Sequence, residues 1–147
     1  MLVREMKPGD IEAGERLCRS SGWNQVASDW SLFLQLNPAG CLVAEKNGTV
    51  VGTVASLRYG EQFSWLAMVL VDPRKRRQGI GTRLVQTLLD LADQWLLLRR
   101  VELTVLTENE GAKHLYERLG FVVEGCRKMS VISQGELKDE WLMARYR

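Results

Sequence analysis

The amino-acid sequence predicts a single α+β domain over residues 1–147, with a mixed, mostly antiparallel sheet flanked by helices. Apolar segments joined by an Asn-Gly pair and then by a Gly-Glu-Gln turn predict an antiparallel meander in the middle of the chain. A long segment with a hydrophobic period near 3.6 follows between two strand-like segments, which indicates a helical crossover between parallel strands. No repeat, low-complexity tract or linker interrupts the 147 residues, which suffice for one domain with a substantial core.

The first third of the chain is predicted to form one strand and two short helices, over Leu2–Lys7, Ile11–Ser20 and Trp30–Leu36. Pro8-Gly9 breaks the strand, and Asp10 is placed to cap the first helix. Ser28 or Asp29 is the expected cap of the second helix.

The middle of the chain supplies the meander and the crossover. The three meander strands are expected over Cys41–Glu45, Val50–Leu57 and Phe63–Val71. A helix from Gly81 to about Leu98 follows. Its buried face is expected to carry Leu84, Val85, Leu88, Leu91, Ala92 and Trp95. The next segment, Val101–Thr107, is expected to run parallel to the strand before the helix.

The C-terminal part is predicted to complete the sheet after one more helix. A capping box that begins at Thr107 predicts a helix over Glu110–Leu119. Two strands are expected after it, Phe121–Met129 and Glu140–Tyr146, with a polar turn around Ser133–Asp139 between them.

The segment between the third meander strand and the long helix carries the strongest chemical signal. It reads V-L-V-D-P-R-K-R-R-Q-G-I-G-T from Val69 to Thr82, with four consecutive basic residues before Gly79 and Gly81. Glycines let a ligand approach the backbone, and the first amides of a helix point outward without partners and carry partial positive charge. The segment is therefore a predicted site for a phosphate or pyrophosphate, the alternative being a basic turn that binds nothing.

The spacing of the glycines excludes two known phosphate-binding motifs. A Walker A loop needs Gly, four residues and Gly-Lys-Ser/Thr, which this loop lacks. A dinucleotide fingerprint needs a third small residue where this chain has Leu84. What remains is Arg76-x-x-Gly79-x-Gly81 directly after V-x-V-x-P, which resembles the pyrophosphate loop of the GNAT superfamily of acetyl-CoA-dependent N-acetyltransferases.

A second stretch strengthens this resemblance. The segment N-E-G-A-K-H-L-Y-E-R-L-G-F, which starts at Asn109, is similar to the closing segment of the same superfamily. The resemblance implies that Asn109 contacts coenzyme A and that Tyr116 lies near the thioester sulfur, as the acid for the departing thiolate. Seven residues are about two helical turns, so the two side chains face one way. The alternative for Tyr116 is a core position on the apolar stripe of its helix.

The resemblance covers nearly the whole chain and implies direct transfer of an acetyl group from acetyl-CoA to a primary amine, with no metal. It implies that the pantetheine arm lies along the strand like an added strand and that the loop holds the pyrophosphate. The cofactor-binding residues would be Val69, Leu70, Val71, Arg76, Arg77, Gln78, Gly79, Ile80, Gly81, Thr82, Asn109 and Tyr116. A strand amide near Val69 would polarise the thioester carbonyl.

The general base and the acceptor site are less well marked. Many relatives place a Glu on the strand before the loop, but here that strand reads F-S-W-L-A-M-V-L-V and has no acid. The alternatives are Glu61, Glu108, Asp72 or a water chain. The acceptor side is expected around G-W-N-Q-V-A-S-D-W, where Trp23, Asp29 and Trp30 are candidate contacts for the amine. Their structural alternatives are packing for the tryptophans and helix capping for Asp29.

Composition narrows the function classes. Hydrophobic residues make up 46% of the chain and charged residues 26%, which is typical of a globular protein, and a net charge of +2 is too small to argue for nucleic acid or an anionic membrane. Three cysteines without metal-ligand spacing, in a chain whose N-terminus lacks an apolar signal core, favour the reducing cytoplasm. The expected partner is a small-molecule or peptide amine, with no nucleic acid and no membrane. A homodimer is compatible with the sequence.

Two other function classes compete with an acetyltransferase. One is a non-catalytic acetyl-CoA-binding sensor or regulatory module, which the acid-free strand supports. The other is a nucleic-acid-binding domain that uses Arg74–Arg77 and Arg99-Arg100, whose affinity would fall steeply with salt.

Overall fold

The protein folds as one seven-stranded sheet with four α-helices, as seen in a computed structural model that describes residues 1–147. The strands are β1 Leu2–Glu5, β2 Cys41–Lys46, β3 Thr49–Tyr59, β4 Phe63–Val71, β5 Arg100–Leu106, β6 Val122–Ser133 and β7 Glu136–Tyr146. The helices are α1 Ile11–Ser20, α2 Ala27–Leu36, α3 Ile80–Gln94 and α4 Glu110–Arg118. The strand order is β1-β2-β3-β4-β5-β7-β6, and no helix is long and apolar enough to cross a bilayer.

The predicted meander and crossover are both confirmed. β2, β3 and β4 pair antiparallel, and the β2–β3 turn has positive φ at Asn47 (52°) and Gly48 (75°), as an Asn-Gly hairpin requires. After α3, β5 returns parallel to β4. It is the one parallel pair of the sheet, because every other connection is a hairpin or an antiparallel return.

Two hydrophobic cores lie on opposite faces of this sheet. One lies between the sheet and the helices α3 and α4, and it includes Leu84, Leu103 and Tyr116. The other lies beneath α1 and α2, and it includes Leu17 and Trp30. The two faces of the sheet are therefore covered by different helices.

Several predicted boundaries are wrong in the first two-thirds of the chain. β1 ends at Glu5, and Asp10 makes no side-chain bond to the start of α1, because its carboxylate accepts hydrogen bonds from Arg4 and from the Lys7 amide. α2 begins at Ala27, three residues earlier than predicted. α3 ends at Gln94, so the following Trp95 is 78% exposed instead of lying on the buried face.

The C-terminal boundaries also differ from prediction. The N-cap of α4 is Asn109, not Thr107, and its side-chain oxygen accepts from the Ala112 amide at 3.2 Å. β6 and β7 extend much further toward each other, leaving a two-residue turn at Gln134-Gly135. β6 is an edge strand whose side chains are mostly exposed, so its polar residues gave no hydrophobic alternation to detect.

Candidate functional site

A split between the two parallel strands forms the centre of the candidate site. β4 and β5 pair only where Phe63–Trp65 lie beside Arg100–Glu102. Beyond that point β5 stays paired with β7 as far as Leu106, while β4 continues to Val71 without a strand on that side. The main-chain groups of β4 from about Leu66 onward therefore border an opening inside the sheet, where an extended ligand can add to the strand edge.

A β-bulge in β4 shapes this opening. Thr53 of β3 pairs with Leu70 and Ala55 pairs with Ala67, so two residues of β4, one of them Met68, face one residue of β3. Met68 has φ of 54°, and the buried Thr53 hydroxyl donates to its carbonyl at 2.8 Å. A bulge bends its strand and redirects the neighbouring groups, and bulges often lie next to active sites.

The bulge sets which of the two cores each predicted strand residue contacts. Leu70 joins the core under α1 and α2, whereas Val69 and Val71 pack against the core of α3 and α4. All three residues lie on the part of β4 that pairs with β3 but has no strand on its other side.

The loop after β4 ends in an open helix N-terminus. Gly79 is the N-cap of α3 with φ of 79°, and a Cβ at this position would meet nothing within 4 Å. The amides of Ile80, Gly81 and Thr82 follow in the first turn of α3, where a helix has no internal partners for its N–H groups. Backbone donors, partial positive charge and open space thus coincide at Gly79–Thr82.

The basic residues of the loop have different roles. Arg74 pairs with Asp72, whose carboxylate also caps the loop by accepting from the Arg74 amide at 2.9 Å. Arg76 donates to the Val71 carbonyl and to the Ser21 hydroxyl, which ties the loop to the end of α1. Arg77 is exposed, has φ of 60° and forms no side-chain hydrogen bond or ion pair, and Lys75 forms none either, so both charges are available to an anion.

Gly81 has a packing role that the sequence did not reveal. A Cβ on Gly81 would lie 3.2 Å from Leu115 Cδ1 and 3.5 Å from Val71 Cγ2. The missing side chain therefore lets the start of α3 approach α4 and the end of β4, which brings the second predicted motif beside the loop.

Asn109 and Tyr116 occupy different environments on α4. Asn109 is exposed at the helix start, where its oxygen serves as the cap and its amide N–H₂ remains available. Tyr116 is 6% exposed and packs edge-to-face against Phe121 with 5.8 Å between ring centroids. Burial raises the pKa of the Tyr116 phenol well above its usual range, so the hydroxyl stays protonated at neutral pH.

Two of the predicted acceptor contacts have structural roles. Trp30 is fully buried, and a Cβ on Gly14 would lie only 2.7 Å from its ring, so this burial contradicts direct contact between Trp30 and an amine. The Asp29 carboxylate accepts from the Val26 amide at 2.8 Å, as a capping residue of α2 does. Trp23 is 37% exposed in the α1–α2 connection and stays a candidate.

The α1–α2 connection meets the β6–β7 hairpin. A Cβ on Gly22 would lie 2.7 Å from Nε2 of Gln134, at the tip of that hairpin. The two segments therefore close one rim above the sheet face on which α1 and α2 lie.

The three acids proposed as bases have other places in the fold. Glu61 lies in the β3–β4 turn, at the end of β4 farthest from the loop. Glu108 pairs with Lys138 at 2.6 Å, and the Arg74 guanidinium holds the pKa of Asp72 below its usual range. A carboxylate that the sequence analysis missed, Glu140, lies on β7 and is bound by two hydroxyl groups, and no local motif marks it.

Comparison with known proteins agrees with this geometry. A family model described as "Acetyltransferase (GNAT) family" matches residues 11–121. The chain is similar to L-amino acid N-acetyltransferase AaaT of Escherichia coli, with 35% identity over 52% of this chain and 48% of the relative. It is also similar to mycothiol acetyltransferase of Acidimicrobium ferrooxidans, with 30% identity over 82% of this chain and 43% of the relative. The matched part thus spans about half the length of these curated relatives or less.

The fold likeness extends over the full chain. The structure of Ard1 from Thermoplasma volcanium superposes with a TM-score of 0.91 and 25% identity, covering 99% of this chain and 96% of that one. The predicted α+β architecture is therefore confirmed both by the sheet itself and by this likeness.

Proposed function

The chain belongs to the GNAT acetyltransferase family, and we propose that it transfers an acetyl group from acetyl-CoA directly to a primary amine. The observation that carries the proposal is the combination of the β4–β5 split with the open N-terminus of α3. One offers a strand edge and the other offers unpartnered amides, which are what an amide-bearing pantetheine arm and a pyrophosphate need.

In the proposed complex, the pantetheine arm lies along Val69–Val71 and the pyrophosphate lies against the amides of Gly79–Thr82. Arg77 adds a free guanidinium at this solvent-open end. A β4 amide next to the Met68 bulge donates to the thioester oxygen, since an oxyanion needs a fixed donor where charge develops. Asn109 contacts the far side of the cofactor, and Tyr116 donates to the departing sulfur.

The acceptor is a primary amine that enters from the face on which α1 and α2 lie. The similarity to an enzyme named for L-amino acids supports a small amine with a neighbouring polar group. L-amino acids, a polyamine and short peptides with free N-termini therefore form the first screening panel, with release of coenzyme A as the signal.

The two alternatives make different predictions in the same screen. A non-catalytic sensor would bind acetyl-CoA and release no coenzyme A with any amine. A nucleic-acid-binding role is disfavoured because the two basic stretches lie at opposite ends of α3, and Arg100 is already paired with Glu102 and Glu124. Two separated and partly neutralised patches do not form one phosphate-tracking surface.

The test of the cofactor site uses Gly79→Asp with Gly79→Asn as its matched control. Both side chains tolerate a positive φ better than most, both enter open space, and they differ by one negative charge. At about 5 Å and an effective dielectric constant of about 40, one added charge costs about 1.7 kcal/mol against each phosphate charge. Calorimetry should therefore show acetyl-CoA affinity at least roughly tenfold weaker for the Asp variant than for the Asn variant.

The melting temperatures of the two variants should agree, because the substitution lies at an exposed position. Equal acetyl-CoA affinity for the two variants would mean that the pyrophosphate lies elsewhere.

A further inference from the structure

We propose that Glu140 receives the ammonium group of the acceptor and removes its proton; this inference rests on the acetyl transfer proposed above. Glu140 lies on β7 directly opposite Leu106, the last residue of β5. Its Oε1 is 3.4 Å from the hydroxyl of Thr104, which holds the carboxylate above β5. β5 lies between β7 and the split, so the contact with Thr104 directs one carboxylate oxygen from β7 toward the side of the sheet that carries the opening.

The side chain of Glu140 lies on the acceptor face of the sheet. Val101, Leu103 and Val105 of β5 belong to the core of α3 and α4. Side chains alternate along a strand, so Thr104 and Leu106 face the other way, and Glu140, opposite Leu106, shares their face. This is the face on which α1 packs on β3 and β4, beneath the rim formed by Gly22 and Gln134.

The Glu140 carboxylate has no cationic partner, whereas the nearby carboxylates Glu102, Glu108 and Asp139 are each in an ion pair. The ion pairs around it are Lys138–Glu108, Lys128–Asp139 and Arg100–Glu102. Arg127 lies opposite Glu140 on β6, but its side chain is exposed and forms no ion pair with it. The carboxylate is half-buried and held by two neutral donors, the Thr104 hydroxyl and the Ser130 hydroxyl at 3.1 Å.

Such a carboxylate is a favourable partner for an incoming ammonium group. Hydroxyl donors orient the two oxygens but leave the charge uncompensated, and a cation that reaches a half-buried charge is attracted more strongly than it would be in bulk water. The hydrogen bonds also fix the direction of the carboxylate, so the ammonium would be held between β5 and the free edge of β4. Neighbouring strands lie about 5 Å apart where they pair and farther apart beyond the split, which leaves room for one amine nitrogen.

The proposed step conserves atoms and charge. One proton of R–NH₃⁺ passes to Glu140, and the freed lone pair forms the C–N bond to the thioester carbonyl carbon. When the C–S bond breaks, its electron pair leaves with the sulfur, which the Tyr116 hydroxyl stabilises by donating a hydrogen bond. The nitrogen then loses its second proton through water to the thiolate. Glu140 returns its own proton to solvent, so the sum is amide, free coenzyme A and one proton.

The test compares Glu140→Gln with Glu136→Gln, an exposed glutamate on the same strand as a matched control. The probe is the panel amine that the parent protein acetylates with the highest kcat/KM. Single-turnover acetyl transfer at neutral pH should fall about 100-fold or more in Glu140→Gln, as expected for loss of a general base. It should stay within about twofold of the parent in Glu136→Gln, while melting temperature and acetyl-CoA affinity should stay parental in both.

The pH dependence separates proton removal from a structural role. A primary amine becomes its own free base as the pH passes its pKa, about 8 for a peptide N-terminus and about 10.4 for a lysine-like alkylamine, so it then no longer needs Glu140. The deficit of Glu140→Gln should therefore shrink as the pH approaches the pKa of the probe amine. A deficit that is constant with pH, or a parental rate in Glu140→Gln, would overturn the assignment.

The same measurements separate this inference from the proposed function. Coenzyme A release by the parent together with an active Glu140→Gln refutes only the role of Glu140. A parent that binds acetyl-CoA but acetylates no panel amine refutes the transferase proposal and the role of Glu140 with it.

Discussion

Replacing Tyr116 by Phe tests the proposed role of the one buried phenol beside the site. Phe keeps the ring, which packs at 5.8 Å from Phe121, and deletes only the hydroxyl. Burial is the cause that raises the pKa of Tyr116, and no hydrogen bond contributes to the shift. The hydroxyl is therefore not engaged in holding the fold, and the variant should fold as the parent does.

The size of the kinetic effect follows from the raised pKa. A thiol such as Cys has a pKa of about 8.5, so full proton transfer from a more weakly acidic phenol to a thiolate is uphill. In the proposed reaction, Tyr116 would therefore stabilise the sulfur by donating a hydrogen bond as charge develops. A hydrogen bond to a charged group contributes about 1.5–3 kcal/mol, which corresponds to a fall of about 10- to 150-fold in the rate of the chemical step. Single-turnover acetyl transfer measures this rate without interference from product release.

An independent equilibrium measurement checks the burial of the phenol. Because the folded-state pKa lies above the unfolded value of about 10, the folded chain keeps its proton where the unfolded chain loses it. Stability is therefore lost as the pH rises above about 10, by up to about 1.4 kcal/mol per pH unit. Urea unfolding of Tyr116→Phe should lack this term, so the parent should lose stability relative to the variant between pH 10 and 11.

Either measurement can refute the reasoning. A parental single-turnover rate in Tyr116→Phe would make Tyr116 a packing residue only. Parallel stability curves for parent and variant above pH 10 would show that the phenol is not buried in the folded protein.

Two further predictions concern stability. Gly14→Ala places a methyl group 2.7 Å from the Trp30 ring, so urea unfolding should show a loss of about 1–3 kcal/mol, and an unchanged midpoint would contradict the tight packing of Trp30. Arg145 donates two hydrogen bonds of 2.9 and 2.6 Å to the Asp93 carboxylate, and these lower the pKa of Asp93. Asp93→Asn removes this ion pair and should reduce the free energy of unfolding by about 1–2 kcal/mol at neutral pH. Because the folded-state pKa of Asp93 lies below the unfolded value of about 4, the cost in stability is complete above about pH 4 and declines as the pH falls through the folded-state pKa, and a cost that does not decline at all between about pH 5 and pH 2 would point to packing instead.

The sequence predicted the parts of the site that local patterns encode. The glycine loop at the start of α3 needs a positive φ at Gly79 and a helix N-terminus, and both follow from neighbouring residues. The bulge at Met68 could not be predicted from the sequence, because it depends on a register shift against β3 and on the Thr53 hydroxyl, which lies fifteen positions away. Trp30 was misplaced because a tryptophan near a helix start has the same pattern whether it is buried or exposed.

The sequence alone determined the order of the elements, the Asn-Gly hairpin, the parallel crossover and the glycine loop at the start of α3, since each depends on residues close together in the chain. Only the tertiary structure decided where β4 and β5 separate and which side chains surround the Glu140 carboxylate. Glu140 meets Thr104 and Ser130 across three strands, and their separations of 36 and 10 positions leave no pattern in the chain. Strand pairing brings these residues together because the sheet places partners by register, and register is set by the packing of the whole domain.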